Sequence, residues 1–582
     1  MYFVVVKVVI MYQVGVAKED ITVFVYGKGM MGYAVPTHVA QEVETPLYVR
    51  AFVLHDKNSG KKVALVNAEI CFYTIALKAA VIQKLHEEHP DLNYTDANVL
   101  LSAQHTHSAA GGYSHYVLYN VAIPGFQPTV FNKYVEGTVN AIVKATQNLQ
   151  DAQLFYHTGQ FEPDIPVAFN RSLKAYNANP EVVKPMLKAN HHLAIDRTMK
   201  LLRFEGADGK PLGAINWFGV HTTSVGNTHH RICSDNKGYA AAYMEQDVQQ
   251  QCGNKEFIAA FAQDTAGDVS PNPQYGDIIP INKEYESAKA NGRFQYSKAM
   301  ELFEQSVHEK PVSGGIDCEL MFMNMSNITI DSEFLMGRSG VRTAPAAIGM
   351  HMLLGANDRP ALDVVSNFLL GLGGPLLPKA IKAYEKTVLS LFRSQKDKDD
   401  IDLKYRAHGA KQITIEANIG KILGTYYVQR LIIPGVVDET IKRLKQIDRE
   451  GYFARTPWMP RIVPLQMVII GQLAIIGVPG EITTMAGQRL RETALRILKH
   501  RGVEQVILST YTNGYHGYIT TTQEYKLQLY EGAHTIFGKW TLPAYQTKVK
   551  QLAIEMLKPK SHRHIDHRLK PELFAPDEIW YG

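Results

Sequence analysis

The chain predicts an α/β fold with mixed α+β character, built as one large multilayer domain. Three observations carry this. Short apolar runs of strand length alternate with longer amphipathic stretches. No internal repeat or low-complexity segment interrupts them. Five of the apolar runs hand a polar, chemically capable residue to the loop at or soon after their C-terminal end, the edge where open α/β sheets gather ligands. In order, MYFVVVKVVIM reads as a first strand, followed by strands over Val49–His55, Lys62–Asn67, Asn98–Ser102, Met199–Phe204, Gly213–Phe218, Phe257–Ala262, Leu473–Val478 and Gln505–Ser509. Each is a short run of the kind that suits a pleated, half- or fully buried ladder. Helical periodicity predicts helices over Thr74–Glu88, Val130–Leu149, Lys237–Gln251, Glu301–Glu309, Thr483–Lys499 and Ala544–Leu557. Residues 340–452 mix Gly/Pro turns, amphipathic pieces and the charged run Lys396–Asp402, and read as a lid or insertion. Residues 541–582 read as a C-terminal helix and basic tail, whose His562, His564 and His567 look solvated.

A 582-residue chain can bury one large core or two to three ordinary ones. Its 46% apolar and 20% charged composition is that of a soluble globular protein. A formal charge of +5 is too small for a nucleic-acid footprint, yet does not oppose approach to an anionic membrane. Four scattered cysteines give neither a CxxC pair nor a zinc-finger spacing, and no disulfide framework. The opening run is short, is broken by Lys7 and lacks a small-residue cleavage site, so it does not read as a signal peptide. Ile462–Gly480 is apolar but carries Pro464, Gln466 and Gln472, a poor membrane span. Location stays open on these grounds, and nothing points to a protein partner.

The polar residues after the strands deserve weighing one at a time. NVLLSA runs into Gln104-His105-Thr106-His107, and an HxH pair on a strand would project both rings to one side. With 22 histidines in the chain, a structural or surface role explains one such pair as well as a metal does. His221 follows GAINWFGV and reads equally as a core or turn histidine; Glu481 follows QLAIIGVPG and reads equally as a first-turn carboxylate at a helix dipole. Ser270 in GDVSPN sits before Pro271 like a turn serine and lies in no GxSxG elbow. The tyrosines 511, 515, 518, 525 and 530 fit amphipathic packing. Taken together, two histidines and one glutamate with an open position suggest a zinc hydrolase.

The same segments resemble the neutral/alkaline non-lysosomal ceramidases. VGVAKEDIT with GMMGYAVP is similar to that family's opening, and NVLLSAQHTHSAAGGYSHYVLYNVAIPGF to its metal-loop segment. FNRSLKAYNANP, INWFGVHTTSVGNTHHRICSDNKGYAA, FIAAFAQDTAGDVSPN, TPWMPRIVPLQMVIIGQLAIIGVPGEITTMAGQRL and YTNGYHGYITTTQEYKLQLYEGAHTIFG follow in the family's order. The resemblance implies a catalytic domain over residues 1–540 with zinc at the C-terminal ends of strands. It further implies one Zn²⁺ held by His105, His221, Glu481 and Tyr518, with His107, Arg171 and Tyr530 lining the reaction centre and Ser270 at the family's nucleophile position. It says nothing of an additional structural Ca²⁺ or Mg²⁺. Thr265 stands where the family usually has Asn, the stretch 363–451 has little counterpart, and the family's immunoglobulin-like C-terminal domain is expected to be absent.

The implied reaction is hydrolysis of the N-acyl amide of ceramide, presented by a membrane or micelle, to sphingosine and fatty acid. Either a zinc-activated water or Ser270 attacks, and sequence leaves both open. Two rival readings stand beside it: an amidase for other N-acyl lipids or N-acyl amino acids, and a lipid-binding protein without turnover. For substrate capture the sequence offers Met350, Met352, Leu353, Leu354, Phe368, Leu369, Leu370, Leu372 and Leu376–Leu377, an apolar rim or lid, or equally a helix pair packed into the core.

Overall fold

The computed structural model describes residues 12–272, 283–356, 359–360, 376–387, 394–417, 420–422 and 439–582. Eight strands form the larger sheet: β1 (Tyr12–Asp20), β2 (Tyr48–Asp56), β3 (Lys62–Ala68), β4 (Val99–Ala103), β5 (Gln150–Gln160), β6 (Thr198–Gly206), β7 (Pro211–Trp217) and β8 (Ile258–Ala262). Their order is β8-β7-β6-β5-β1-β2-β3-β4, antiparallel except for the parallel pairs at the two edges, β3/β4 and β7/β8. A second sheet contains β9 (Ile316–Asn324), β10 (Ile462–Ile470), β11 (Leu473–Gly477) and β12 (Gln505–Ser509) in that order, with β11/β12 parallel. The fold is thus mixed α/β around one large mixed sheet.

Layering follows from what each face buries. Helices α1 (Ile75–Glu88) and α2 (Pro128–Gln147) cover one side of the large sheet, their Leu77, Val81, Val139 and Ile142 packing with Val49, Val53 and Val66. Thr74 caps α1 by accepting the Leu77 N–H. Helix α2 lies so close to β1 that a Cβ on Gly15 would stand 1.9 Å from the Ala145 carbonyl oxygen, which admits only glycine. Helices α3 (Asp235–Cys252) and α4 (Glu284–Ser306) pair against the strands β6 to β8. The second sheet carries α5 (Thr484–Leu498) and α6 (Thr541–Met556). Phe52, Leu54, Leu65 and Phe204 of the large sheet meet Val468, Ile470, Ile475 and Ile507 of the small one in a shared apolar layer.

Two closures bring the strand ends together. The large sheet curls, so that Gly213 of β7 lies against Phe52 of β2 and Val16 of β1. The loops after β4 and β7 then join by a parallel bridge, Thr106 to Thr222. The seam to the small sheet is pinned by Asn513, whose side chain accepts from the Leu101 N–H while its own N–H donates to the Leu101 carbonyl.

Most expected elements stand within one to three residues of their predicted ends, and four differences are instructive. The run 1–11 lies outside the described residues, and the first described strand begins at Tyr12. The helix expected over Glu301–Glu309 is only the tail of the 23-residue α4, whose polar first half hides its period. Ile462–Ile470, apolar on both faces, is a fully buried central strand. Within the middle region, Met350 is buried and Met352 and Leu353 pack on the C-terminal core, while residues 368–372 lie outside the described set and Leu376–Leu377 open a helix, Leu376–Thr387. No two of the four cysteines are bridged. Among the described residues no helix is long and apolar enough to cross a membrane.

Candidate metal centre

His105 arrives from β4. Its backbone N–H donates to the Ile70 carbonyl at 3.0 Å, and the chain then turns through φ +76°, a left-handed conformation costly for a residue with a Cβ. The HxH pair is therefore not on a strand, and strand alternation does not orient it. Instead His105 Nδ1 donates to the Cys71 carbonyl at 2.7 Å, fixing the tautomer and leaving Nε2 toward the centre. That nitrogen lies 3.0 Å from His107 Nε2 and 3.7 Å from Glu481 Oε1, with the ring stacked at 4.0 Å on Tyr511. His221, after β7, repeats the device: its backbone N–H and Nδ1 both meet the Val269 carbonyl at 3.0 Å, and Nε2 lies 3.0 Å from Glu481 Oε2.

Glu481 and Tyr518 come from the small sheet. Glu481 does not open a helix; α5 starts at Thr484, and Glu481–Ile482 is a two-residue strand paired in parallel with Tyr518–Ile519. Register partners in such a pair are neighbours, so the pairing itself sets the carboxylate beside the phenol. Tyr511 donates to Glu481 Oε2 at 3.2 Å, and Tyr515 donates to Oε1. Tyr518 Oη lies 3.4 Å from His221 Nε2 and accepts from Arg171 Nη2 at 2.8 Å. Arg171 also donates through Nη2 to the Gly267 carbonyl and through Nε to Glu531 Oε1, each at 2.9 Å. Its guanidinium lies 5.6 Å from the Tyr530 ring centre, and the Tyr518 and Tyr530 rings are 5.5 Å apart.

The electrostatics suit a cation. Burial alone would raise the Glu481 carboxyl, but His105, His221 and the Tyr515 hydroxyl hold it well below the usual carboxylate range. Burial pushes His105 down to about 4, so its ring is neutral and able to ligate near pH 7. Burial and Glu481 push the Tyr518 phenol up. Two groups of side chains among the described residues could hold a metal ion: His105, His221 and Glu481, and Cys71, His105 and His107, each with ligand atoms within 4.8 Å of one another. The first fits the donors better. Cys71 Sγ faces His105 Nδ1 at 3.6 Å, the nitrogen already committed to a carbonyl, and burial keeps its thiol protonated.

The remaining expected residues divide. His107 is half-buried, with Tyr33 edge-on at 4.6 Å and Nδ1 unpartnered. A Cβ on Gly32, at φ +124°, would stand 2.4 Å from its ring. Ser270 pairs with Phe169 across a two-residue ladder next to Val269, whose carbonyl holds His221. Its hydroxyl accepts from the Asn272 N–H at 3.3 Å, and among the described residues no hydrogen bond joins it to His107. Sequence reasoning passed over Tyr511 and Tyr515 as packing, and missed Glu531, Asp268 and Glu524. Asp268 accepts from the Thr484 N–H and hydroxyl and from Asn170; Glu524 accepts from Thr483, Thr521 and Asn179. The two acids thus stitch together the segments that carry Glu481, Tyr518 and Arg171. Burial and then Asp268 push Glu524 up to about 7. Acidic residues flanking Tyr530 and following Gly267 were the available signal. Thr265, the departure noted above, fills a slot lined by Gly219 and Gly487.

Comparison with known proteins gives the family. The sequence pattern described as "Neutral/alkaline non-lysosomal ceramidase, N-terminal" matches residues 12–278, 274–418 and 442–547. The neutral ceramidase of Pseudomonas aeruginosa is 34% identical over 554 residues, covering 94% of this chain and 72% of its own length. Neutral ceramidase B of Dictyostelium discoideum is 32% identical, covering 93% of this chain and 72% of its own. The crystal structure of the Pseudomonas aeruginosa neutral ceramidase superposes with a TM-score of 0.75 at 31% identity, over 98% of this chain and 77% of that one. A solved ceramidase described as complexed with C2 gives 0.76 at 31% identity, over 97% and 77%.

Proposed function

The chain belongs to the neutral/alkaline non-lysosomal ceramidase family, and from that premise we propose that it hydrolyses the N-acyl amide bond of ceramide to sphingosine and a fatty acid. The observation that carries the reading is the convergence of His105, His221 and Glu481 within 4.8 Å of one another, after three separate strands. In this reading the catalytic domain spans residues 1–540, with 340–452 as its divergent insertion and 541–582 as a helix and tail.

Amide hydrolysis needs a nucleophile, a place for the oxyanion and a proton for the leaving amine. His105, His221, Glu481 and Tyr518 would hold one Zn²⁺, whose Lewis acidity lowers the pKa of water to about 7 and polarises a carbonyl. Two imidazoles and one carboxylate fit that ion, each imidazole oriented through its other nitrogen by a backbone carbonyl. Arg171, fixed by Glu531 and the Gly267 carbonyl, holds the Tyr518 oxygen and sets positive charge where the oxyanion develops. Tyr530 beside it orients the amide. His107, at the open side of the centre, moves the proton between nucleophile and leaving nitrogen. Ser270 is buried one residue from the carbonyl that orients His221, and serves as nucleophile or as a substrate-orienting group.

The test is to incubate purified, zinc-loaded protein with a panel of N-acyl lipids and N-acyl amino acids and to measure free fatty acid. Release from ceramide ahead of the others is expected. Release only from N-acyl amino acids would overturn the substrate. Two readouts then separate the nucleophiles: measurable turnover by Ser270→Ala supports activated water, whereas an acyl group trapped on Ser270 of the wild type, found by mass spectrometry, supports the serine.

A further inference from the structure

Between two buried stretches of the N-terminal segment, the chain pushes three consecutive large apolar residues into water. Ile21 and Val23 are buried, Met30 and Met31 are buried, and between them Phe24, Val25 and Tyr26 are 43%, 43% and 73% exposed. They lie in a turn at the open end of a short antiparallel hairpin that pairs Gly27–Met30 with His38–Ala40. The Lys28 N–H donates to the Val25 carbonyl, the Gly27 N–H to Ala40, and Ala40 returns a bond to Lys28. Gly27, at φ +77°, has no atom of the described residues within 4 Å of where its Cβ would be, so the turn is open to solvent there. Single exposed apolar residues need no explanation, but three consecutive large apolar side chains on an exposed turn point to a binding surface.

The opposite end of this hairpin, the loop that begins Met31-Gly32-Tyr33, lies against the candidate centre. The Met31 N–H donates to the Ala109 carbonyl and the Gly111 N–H to Gly29, tying the hairpin to the loop that carries His107. Gly32 lies against the His107 ring, and Tyr33 meets it edge-on at 4.6 Å. Gly32 is six positions after Tyr26, so the exposed turn lies at most about 20 Å along the chain from that contact. Phe and Tyr side chains with a lysine at their base match the boundary between lipid headgroups and acyl chains, where an amphipathic ring has one end apolar and the other wet.

We propose that Phe24-Val25-Tyr26 enters the surface of a lipid bilayer or micelle and, through the hairpin that runs on to His107, holds the candidate centre close to the layer that stores the substrate. The proposal rests on the ceramide reading for its purpose, but its test does not. Full-length protein is sedimented with phosphatidylcholine vesicles containing no ceramide. The variant with Phe24, Val25 and Tyr26 all changed to Ser should partition at least tenfold less than the wild type, with unchanged melting temperature and elution volume. Tyr26→Trp should show a blue-shifted emission increment on adding vesicles. On ceramide in vesicles the triple variant should raise KM about tenfold, while kcat/KM for a water-soluble short-chain amide stays within twofold. Equal vesicle binding by wild type and variant, no binding by the wild type, or an unshifted Tyr26→Trp emission would overturn the proposal. So would a wild-type dimer that the triple variant dissolves without loss of vesicle binding, since a second copy would then be the occupant. Absence of fatty-acid release by the wild type, with vesicle binding intact, would count against the ceramide reading alone.

Discussion

The two sheets contribute to the centre in different ways. His105 and His221 come from loops of the eight-stranded sheet, and each ring is oriented by a main-chain carbonyl, Cys71 for one and Val269 for the other. Glu481 and Tyr518 come from loops of the four-stranded sheet, and what orients them beyond their backbone pairing is side chains: Tyr511, Tyr515 and Arg171. A carbonyl survives substitution of its own residue, whereas a tyrosine hydroxyl does not. The imidazole half should therefore tolerate change around it, and the acidic half should not.

The largest expected effects fall where the two halves are equal. His221→Ala and Glu481→Gln should each lose bound zinc and reduce amide hydrolysis by at least about 1,000-fold, because either change removes a ligand. Zinc content and fatty-acid release check both; retention of zinc by either variant would remove that residue from the ligand set. Next comes Arg171→Lys, which cannot meet Glu531, Gly267 and Tyr518 with one ammonium. A fall in kcat of roughly 100- to 1,000-fold with zinc retained is expected. The contrast itself is sharpened by a pair of milder changes. Tyr515→Phe should weaken zinc affinity about 10- to 100-fold by deleting a donor to Glu481, whereas Cys71→Ala leaves the carbonyl in place and should change it little. Equal effects in a chelator competition would erase the distinction between the halves.

The smallest expected effect concerns the acids that stitch the loops. Glu524 is raised to about 7 when folded, so between its unfolded value near 4.5 and 7 the native state binds more protons than the unfolded state. Stability contributed by this group is thus greatest below 4.5 and is lost as pH rises through 7. The melting temperature of Glu524→Gln should depend less steeply on pH over that interval than the wild type does. An unchanged slope would mean that Glu524 does not carry the proton.

What sequence reveals follows the same division. The strands that end at Ala103, Trp217 and Gly477 were legible as short apolar runs, and so was the habit of placing chemistry after them. Gln150–Gln160 was not, because its solvent-side residues are polar and its outer half is only half-buried. His105 and His107 share one loop, so a two-residue spacing exposed them, although a left-handed turn and not strand alternation sets their rings. Tyr518 became a candidate only through resemblance: its partners Arg171 and His221 lie 347 and 297 residues away, and no local pattern encodes a contact at that separation. Asp268 and Glu524 were invisible for a related reason. Asp268 meets Thr484 and Asn170 at separations of 216 and 98 residues, and Glu524 meets Asn179 at 345, while the local bond of Glu524 to the Thr521 N–H is an ordinary helix capping box.

In the proposed centre one zinc ion would join the halves through two imidazoles, one carboxylate and one phenol. X-ray absorption at the zinc edge of the loaded protein tests it most directly, because the competing group of Cys71, His105 and His107 contains a thiol. A first shell of nitrogen and oxygen alone, with the multiple-scattering signature of two imidazoles and no change in Cys71→Ala, is the predicted result. A sulfur scatterer that disappears in Cys71→Ala would contradict the claim and move the metal to the other side of His105.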